Sequence, residues 1–332
     1  MTKIYDPCGK GQRLGSEIKA GGEGTVFDVE CRPTAVVKVY HPELRDEQQR
    51  QAKIAAQINV LRQNPILAQL PLAWPRMAIF DQHQQWLGYV MPKVSGMTLS
   101  LFRNPKKVKQ RLGGIDRVDV TEYLINLLST VNTLHQHNIF LGDINLDNFL
   151  VDPLTRKVHL IDCDSYQFVH NRTCYPCPVG QDAMIPPEHQ GKNLRNVERN
   201  AQSDCFSLAV ICFMLLMSGR HPYEHIGGTS TVENIKKGHF PYGQKIRPGS
   251  QGSIPVGPWY TWWSHLTFKL KSAFIQTFTD GAHDPNKRIG VKQWITLLEQ
   301  YKWSLENNKG DLSRELWPTE VKSSAYKADV IE

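Results

Sequence analysis

The sequence lacks the features that would place the chain in a membrane or in an oxidising compartment. Its most apolar run, residues 206–217, is too short to cross a bilayer and predicts a buried helix. The first residues, MTKIYDPCGKGQRLG, contain no apolar leader core, so we expect no signal peptide. Cysteines are few, seven in 332 residues, and their odd number does not suggest a disulfide framework. We therefore expect a reducing, cytoplasmic setting.

Signals for metal and nucleic-acid binding are also sparse. Cys174 and Cys177 form a lone C-x-x-C without the second ligand pair that zinc needs, so we expect free thiols. The net charge of +7 is spread along the chain apart from one basic cluster. That cluster consists of Lys106, Lys107, Lys109 and Arg111. We interpret it as a solvated basic loop, with contact to an acidic partner as the alternative, and expect no direct nucleic-acid binding.

What the sequence does contain is an ordinary globular composition, with 40% apolar and 21% charged residues, arranged in two successive patterns. The first hundred residues alternate β-like runs with one helical stretch over 44–62. Strands are predicted over residues 25–29, 35–40, 77–80 and 87–90. From about residue 120, Leu124, Leu128, Val131 and Leu134 recur at helical spacing. A β-rich lobe therefore precedes a helical lobe.

The boundaries of these lobes follow from the same patterns. We assign residues 1–91 to the first lobe, 92–96 to a linker and 97–303 to the second lobe. Residues 304–332 form a polar tail that we expect to be loosely ordered, with Trp317 as a candidate for docking.

One stretch of the second lobe is unusually polar. LGDINLDNFLVD, residues 141–152, holds three carboxylates and two carboxamides, and a predicted hairpin over 149–151 and 158–161 follows it. Taken alone, Asp143 and Asn148 are more often turn formers than catalytic groups, and Asp162 at the end of the hairpin is more often an Asx turn. The same caution applies to the glycine-rich turn over 21–24 and to Lys38 in an apolar strand.

Their order along the chain changes this interpretation, because it resembles the arrangement of protein-kinase-type phosphoryl transfer, and the chemical needs match. Glycines let backbone N–H groups approach phosphates, and Lys38 can supply a fixed cation for the α- and β-phosphates. Asn148 and Asp162 are oxygen ligands of the kind that Mg²⁺ takes beside phosphates. Asp143 can orient an acceptor hydroxyl and receive its proton.

These motifs resemble those of the eukaryotic-type (Hanks-like) protein kinases over about residues 13–303. The resemblance implies an α+β fold with two lobes, ATP and Mg²⁺ as cofactors, and a Ser/Thr protein kinase that also phosphorylates itself. The implied catalytic residues are Asp143, Lys38 and Asn145, and the implied metal ligands are Asn148 and Asp162. The implied nucleotide-binding residues are Gly21, Gly22, Gly24, Val26, Lys38, Met91 as gatekeeper and Val94 in the hinge.

Later motifs favour a protein substrate over a small molecule. Residues 186–188 resemble the A-P-E motif, Asp204 opens a helix similar to the D-x-W-S-x-G helix, and Arg288 stands where an arginine pairs with the A-P-E glutamate. GGEGTVF, GYVMP and IDCDSYQF are similar to a bacterial branch whose members often carry a C-terminal helix-hairpin-helix module, which we do not expect within these 332 residues. That resemblance implies a PP2C-type phosphatase and a von Willebrand A-domain protein as partners.

The sequence also departs from the kinase pattern. Lys19 replaces the first glycine of the loop, and the helix expected to pair a glutamate with Lys38 offers Gln51 and Gln57, with Glu47 as the nearest carboxylate. Asn145 stands where a catalytic-loop lysine is usual. These changes leave a pseudokinase, acting as a nucleotide-binding scaffold, as the alternative to an active kinase, and a small-molecule kinase as a weaker third.

Two further departures concern the loops around the expected metal site. Gly142 replaces the arginine of H-R-D, so phosphate on Thr173 or Tyr175 would find no obvious cation there, and we expect activity not to depend strongly on it. Asp164 replaces the glycine of D-F-G, and an extra metal ligand and a hydrogen bond within the loop are both open roles for it.

Overall fold

The computed structural model describes residues 3–45, 47–242 and 254–322. Six strands of the first lobe form a closed barrel in the order β1-β2-β3-β4-β6-β5, with Tyr5 of β1 paired to Phe80 of β5. The strands are β1 (Lys3–Tyr5), β2 (Gly11–Ala20), β3 (Gly24–Val29), β4 (Ala35–Tyr40), β5 (Met77–Phe80) and β6 (Trp86–Pro92). The four predicted strands are confirmed as β3 to β6. β2 was not predicted because its sequence, GQRLGSEIKA, is polar and largely exposed.

Three helices accompany the barrel: α1 (Pro42–Arg45), α2 (Gln48–Gln63) and α3 (Pro65–Gln69). The single helix predicted over 44–62 is therefore wrong at its start. Glu47 has an extended backbone, with φ −69° and ψ 94°, and α2 begins only after it. Ile54 and Ile58 of α2 pack against the sheet, in a cluster that includes Tyr40 and Met91.

The second lobe is mainly helical, so the expected bilobal α+β architecture is confirmed. Its helices are α4 (Pro105–Arg111), α5 (Arg117–Gln136), α6 (Ala201–Leu216), α7 (Thr231–Lys236), α8 (Trp259–Ser264), α9 (Phe268–Phe278), α10 (Asp280–His283) and α11 (Val291–Glu306). Its strands are β7 (Met97–Thr98), β8 (Phe149–Val151), β9 (Val158–Leu160), β10 (Phe168–His170), β11 (Thr173–Tyr175), β12 (His225–Ile226) and β13 (Ile254–Pro255). β7, β8 and β9 form a small antiparallel sheet that includes the predicted hairpin.

The core of the second lobe is built around α6. Every residue from 203 to 216 is buried, which explains why this helix is apolar on all sides rather than along one stripe. α5 presents the predicted stripe, with Leu124, Leu128, Val131 and Leu134 fully buried. No helix within the three described ranges is both long enough and apolar enough to span a membrane.

The segment after residue 303 is better ordered than its polar composition suggests. α11 continues to Glu306, Leu312 is buried, and Trp317 packs against the core. The backbone N–H of Arg117 donates to the Arg314 carbonyl at 2.9 Å, which ties this segment to the start of α5. The last ten residues of the expected tail lie outside the described residues.

Candidate active site

The glycine-rich turn joins β2 and β3 above the cleft between the lobes. The Gly21 N–H donates to the Gly24 carbonyl at 2.9 Å and closes the turn. A Cβ on Gly24 would collide with the Val39 carbonyl oxygen of β4, so glycine is required there for strand packing. A Cβ on Gly22 would meet nothing within 4 Å, and this exposed position leaves the backbone open to the cleft.

Lys38 lies on β4 with its ammonium group in the cleft, and only 7% of the residue is exposed. Its Nζ donates to Asp164 Oδ2 at 2.7 Å, while the nearest oxygens of Asp162 and Glu23 are 3.7 Å and 3.8 Å away. Burial alone would lower the pKa of Lys38, but the charge of Asp164, with smaller contributions from Asp162 and Glu23, raises it above its ordinary value. The lysine is therefore a charged, well-ordered donor.

The loop that carries Asp143 is fixed to the core by its own backbone and by α6. Asp204 accepts the N–H groups of Leu141 at 2.8 Å and Gly142 at 3.0 Å, and it also contacts His135 Nε2 at 2.9 Å. Leu141, Ile144 and Leu146 are buried in the main core. Because these apolar groups point inward, Asp143 faces the cleft, where it is half-buried.

Two carboxamides contact the Asp143 carboxylate from below. Asn145 Nδ2 donates to Asp143 Oδ1 at 3.3 Å, and Asn148 Nδ2 donates to Oδ2 at 3.1 Å and to the Asp143 carbonyl at 3.0 Å. Burial raises the pKa of Asp143, although these hydrogen bonds oppose the rise. Asn145 therefore sits against the carboxylate as a neutral donor, where a lysine would bring a charge.

Asp162 follows β9 and projects into the cleft with about half of its side chain exposed. Its backbone is left-handed, with φ 55° and ψ 35°, which is uncommon for a residue with a side chain and is often found at functional sites. Partial burial in the cleft raises the pKa of Asp162, whereas the positive charges of Lys38 and Lys19 oppose that rise.

The predicted site residues converge on one cavity of about 460 Å³ between the lobes. This volume lies within the range of small-molecule sites. Nine of the predicted residues line it: Gly21, Gly22, Gly24, Val26, Lys38, Met91, Val94, Asp143 and Asp162. Asn145 and Asn148 do not line it, because both are buried beneath Asp143.

The cavity fits a nucleotide with Mg²⁺ by the distribution of its side chains. Val26, Met91 and Val94 give an apolar portion, while Lys38 and Asp162 give a polar one. A buried oxygen, Asp164 Oδ1, has no hydrogen-bond partner among the described residues. A cation, exposed glycine backbone and carboxylate oxygens are the groups that triphosphate and Mg²⁺ require.

The segment after Asp162 is held in place by residues far from it in sequence. Arg288 forms a bidentate pair with Glu188, at 2.7 Å and 2.6 Å, as its motif predicts. A Cβ on Gly142 would lie 2.7 Å from Cys177 Sγ and 3.3 Å from the buried Arg199 side chain. Arg199 thus lies beside Gly142, the residue that replaces the arginine of H-R-D.

All seven cysteines lie in the described ranges, and none forms a disulfide. Cys174 is exposed on β11 and Cys177 is buried. No group of three or more His, Cys, Asp or Glu side chains suited to a metal ion occurs among the described residues. The expectation of free thiols rather than a zinc site at this C-x-x-C stays a prediction.

Three residues of the site make contacts that sequence reasoning missed. For Asp164 the sequence leaves two roles open, a metal ligand and a hydrogen bond within the loop, and neither is partner of Lys38. Tyr40, which donates to Asp164 at 2.6 Å, and Lys53, which contacts the following loop, were not considered. One signal was available: residues 48–63, which form α2, contain neither Asp nor Glu, so the partner of Lys38 had to come from elsewhere.

Comparison with known proteins places the chain in a family. Residues 15–298 match the family model described as a protein kinase domain. Protein kinase YegI of Escherichia coli K12 is 30% identical over 317 residues, which cover 92% of this chain and 47% of YegI. A probable serine/threonine-protein kinase of Dictyostelium discoideum is 25% identical over 186 residues, covering 56% of this chain and 27% of that protein. The chain spans about half the length of YegI.

Proposed function

The chain belongs to the protein kinase family, and we propose that it is an ATP-dependent Ser/Thr protein kinase that also phosphorylates itself in a bacterial signalling or stress-response system. One observation carries this proposal. Lys38, Asp143 and Asp162, which are far apart in sequence, line a single cavity beneath the glycine turn. Similarity to the probable serine/threonine-protein kinase of Dictyostelium discoideum supports Ser/Thr as the acceptor class.

The proposed transfer assigns one role to each group. Asp143 orients the acceptor hydroxyl and receives its proton as the new P–O bond forms, and the bond from the γ-phosphorus to the β–γ bridging oxygen breaks to release ADP. Lys38 and the glycine backbone hold the phosphates, and Asp162 would hold Mg²⁺. Bound Mg²⁺ would supply positive charge against the phosphate oxygens. Asn148 would need to turn away from Asp143 to act as a second ligand.

Asn145 is the observation that favours the alternative, a pseudokinase that binds nucleotide and acts by contact. It brings no charge to Asp143, and loss of one electrostatic contact in a transition state costs roughly a hundredfold or more in rate. An active enzyme is favoured because the lysine and both cleft aspartates are present. A small-molecule kinase is disfavoured by the Glu188–Arg288 pair, which the protein-substrate motifs imply.

The proposed setting is cytoplasmic, with a protein as substrate. Family resemblance alone adds a PP2C-type phosphatase and a von Willebrand A-domain protein as proposed partners. We propose no direct nucleic-acid contact, because the positive charge is not gathered on one motif of the kind that binds nucleic acid.

The proposal is tested with purified protein, labelled ATP and Mg²⁺, alone and with a generic protein substrate. Asp143→Ala and Asp162→Ala are compared with wild type and with Glu299→Ala, which removes an exposed carboxylate on α11. We expect label on wild type and on the α11 control, and a fall of about 10²–10⁴-fold in the two cleft variants.

Label that is absent from wild type, or equal in all four proteins, overturns the proposal that the protein is an active kinase. Thermal stabilisation by ATP without any label then favours the pseudokinase.

A further inference from the structure

The partner of Lys38 is the feature of this site that the family pattern does not explain. In protein kinases the corresponding lysine pairs with a glutamate on the neighbouring helix. Here α2 has no acidic residue, and its N-cap residue Glu47 lies 3.3 Å from Arg50. Within the described ranges the carboxylates that approach Lys38 are those of Glu23, Asp162 and Asp164.

Of these three carboxylates, only that of Asp164 is both buried and within hydrogen-bond distance of Lys38. Its side chain is 4% exposed, compared with 40% for Glu23 and 50% for Asp162. The distance of 2.7 Å to Lys38 is that of a charge-assisted hydrogen bond, whereas the two other carboxylates lie beyond hydrogen-bond distance. A buried charge needs such a partner, because leaving it uncompensated is costly.

Asp164 is in turn held from a second direction. The Tyr40 hydroxyl donates to the same Oδ2 at 2.6 Å, and Tyr40 stands on β4 two residues after Lys38. Side chains two residues apart on a strand lie on the same face, so the strand presents both donors to one carboxylate. The carboxylate is therefore clamped between an ammonium and a hydroxyl.

α2 contributes to this arrangement through the loop that carries Asp164. Gln57 donates through Nε2 to the Cys163 carbonyl at 2.7 Å, and Lys53 donates through Nζ to the Ser165 carbonyl at 2.8 Å. These two bonds hold the backbone on either side of Asp164. α2 thus fixes the loop over residues 163–165, and Asp164 of that loop fixes Lys38.

From these contacts we propose that Asp164 is the positioning residue for Lys38 and takes the part usually played by a helix glutamate. The inference rests on the proposed kinase function for its consequence in catalysis, but the ion pair itself does not depend on it. Since Asp162 lies on the same loop, the phosphate-binding lysine and the metal-binding carboxylate are set by one short segment. Displacement of that segment therefore disturbs both groups together.

A thermal-unfolding cycle on nucleotide-free protein tests the ion pair independently of activity. We compare Lys38→Met, Asp164→Asn and the double variant with wild type, and Glu122→Gln controls for loss of an ion pair elsewhere. Lys38→Met leaves the buried Asp164 carboxylate without its cation, and Asp164→Asn leaves the buried Lys38 ammonium without its carboxylate. Each single variant is therefore expected to lower the melting temperature by about 5 °C or more. The double variant is expected to lose clearly less than the sum. Losses that add within experimental error overturn the inference.

Kinetics on the same proteins separates positioning from metal binding. We expect Asp164→Asn to lower kcat by about a hundredfold while the Mg²⁺ concentration for half-maximal rate stays within about twofold. A variant that regains its rate at high Mg²⁺ would assign Asp164 to the metal and overturn the proposal, as would an unchanged kcat. If wild type transfers no phosphate, the proposed function fails while the unfolding cycle still decides the ion pair.

Discussion

The two lobes hold their charged groups in different ways. In the second lobe, Glu188 pairs with Arg288 as their motifs imply, and Asp204 accepts the backbone N–H groups of Leu141 and Gly142, all within the same lobe. In the first lobe, Lys38 reaches 126 residues along the sequence to Asp164 because its neighbouring helix offers no acid. The contacts that support the Asp143 loop and the Glu188 segment thus keep the family pattern. On the phosphate-binding side, the ion pair of Lys38 has a different partner.

The largest effect should come from breaking a contact of the second lobe. Glu188→Ala leaves the guanidinium of Arg288, whose side chain is 0% exposed, without its carboxylate. We expect the free energy of unfolding to fall by about 3 kcal/mol, the low end of the range for a broken buried pair, because Glu188 itself is partly exposed. Urea denaturation measures this loss.

The matched control for that variant is Glu306→Ala, which removes an exposed pair with Lys302 at 3.9 Å. A loss of at most about 0.5 kcal/mol is expected there. Equal losses in the two variants would show that the Glu188–Arg288 pair does not anchor the second lobe.

The same contrast between lobes explains what could be predicted from the sequence. The strands β3 to β6 contain short apolar and β-branched runs, α5 has an apolar stripe of helical period, and α6 is one long apolar run, so their positions follow from burial. β2 could not be recognised because its residues are polar and exposed, and its place in the barrel comes from pairing with β1 and β3.

For the site, motif order identified the residues that line the cavity but not the contacts between them. Lys38, Asp143 and Asp162 stand in recognisable surroundings, whereas the role of Asp164 depends on how a loop and a strand meet in space. The absence of acid from residues 48–63 excluded a partner on the helix without naming its substitute. Side-chain pairing across 126 residues has no local signal.

A smaller effect, confined to activity, should appear at the glycine turn. Lys19 is exposed, lines the cavity, and places a positive charge near Asp162. If it partly replaces the charge absent at Asn145, Lys19→Met lowers kcat by about fivefold and Lys19→Arg keeps it. The difference should shrink at high salt, since exposed charges are screened.

Steady-state transfer to a generic protein substrate measures this, with Lys292→Met on α11 as the control for losing one exposed positive charge. Equal rates for Lys19→Met and the α11 control would mean that the first lobe makes no electrostatic compensation at this position.

The smallest effect is expected from the segment between Asp162 and Glu188, because the buried Arg199 already contacts it without phosphate. Arg199 is 1% exposed, donates through Nη2 to the Val179 carbonyl at 3.1 Å, and contacts His189 Nδ1 at 2.8 Å. Burial, together with the adjacent guanidinium, lowers the pKa of His189 to about 4, so the imidazole is neutral near pH 7 and can accept this bond. The segment therefore contacts a buried cation that is in place without phosphorylation.

Replacing both Thr173 and Tyr175, by Ala and Phe, should accordingly leave transfer to a generic substrate within about twofold of wild type. Phe at 175 retains the ring that stacks on Phe168 at 5.0 Å, so packing of the β10–β11 hairpin is preserved. A separate substrate is needed because either hydroxyl is itself a candidate acceptor. Loss of transfer with retained nucleotide binding would show that this segment needs phosphate, and that its contacts with Arg199 do not suffice to hold it in an active conformation.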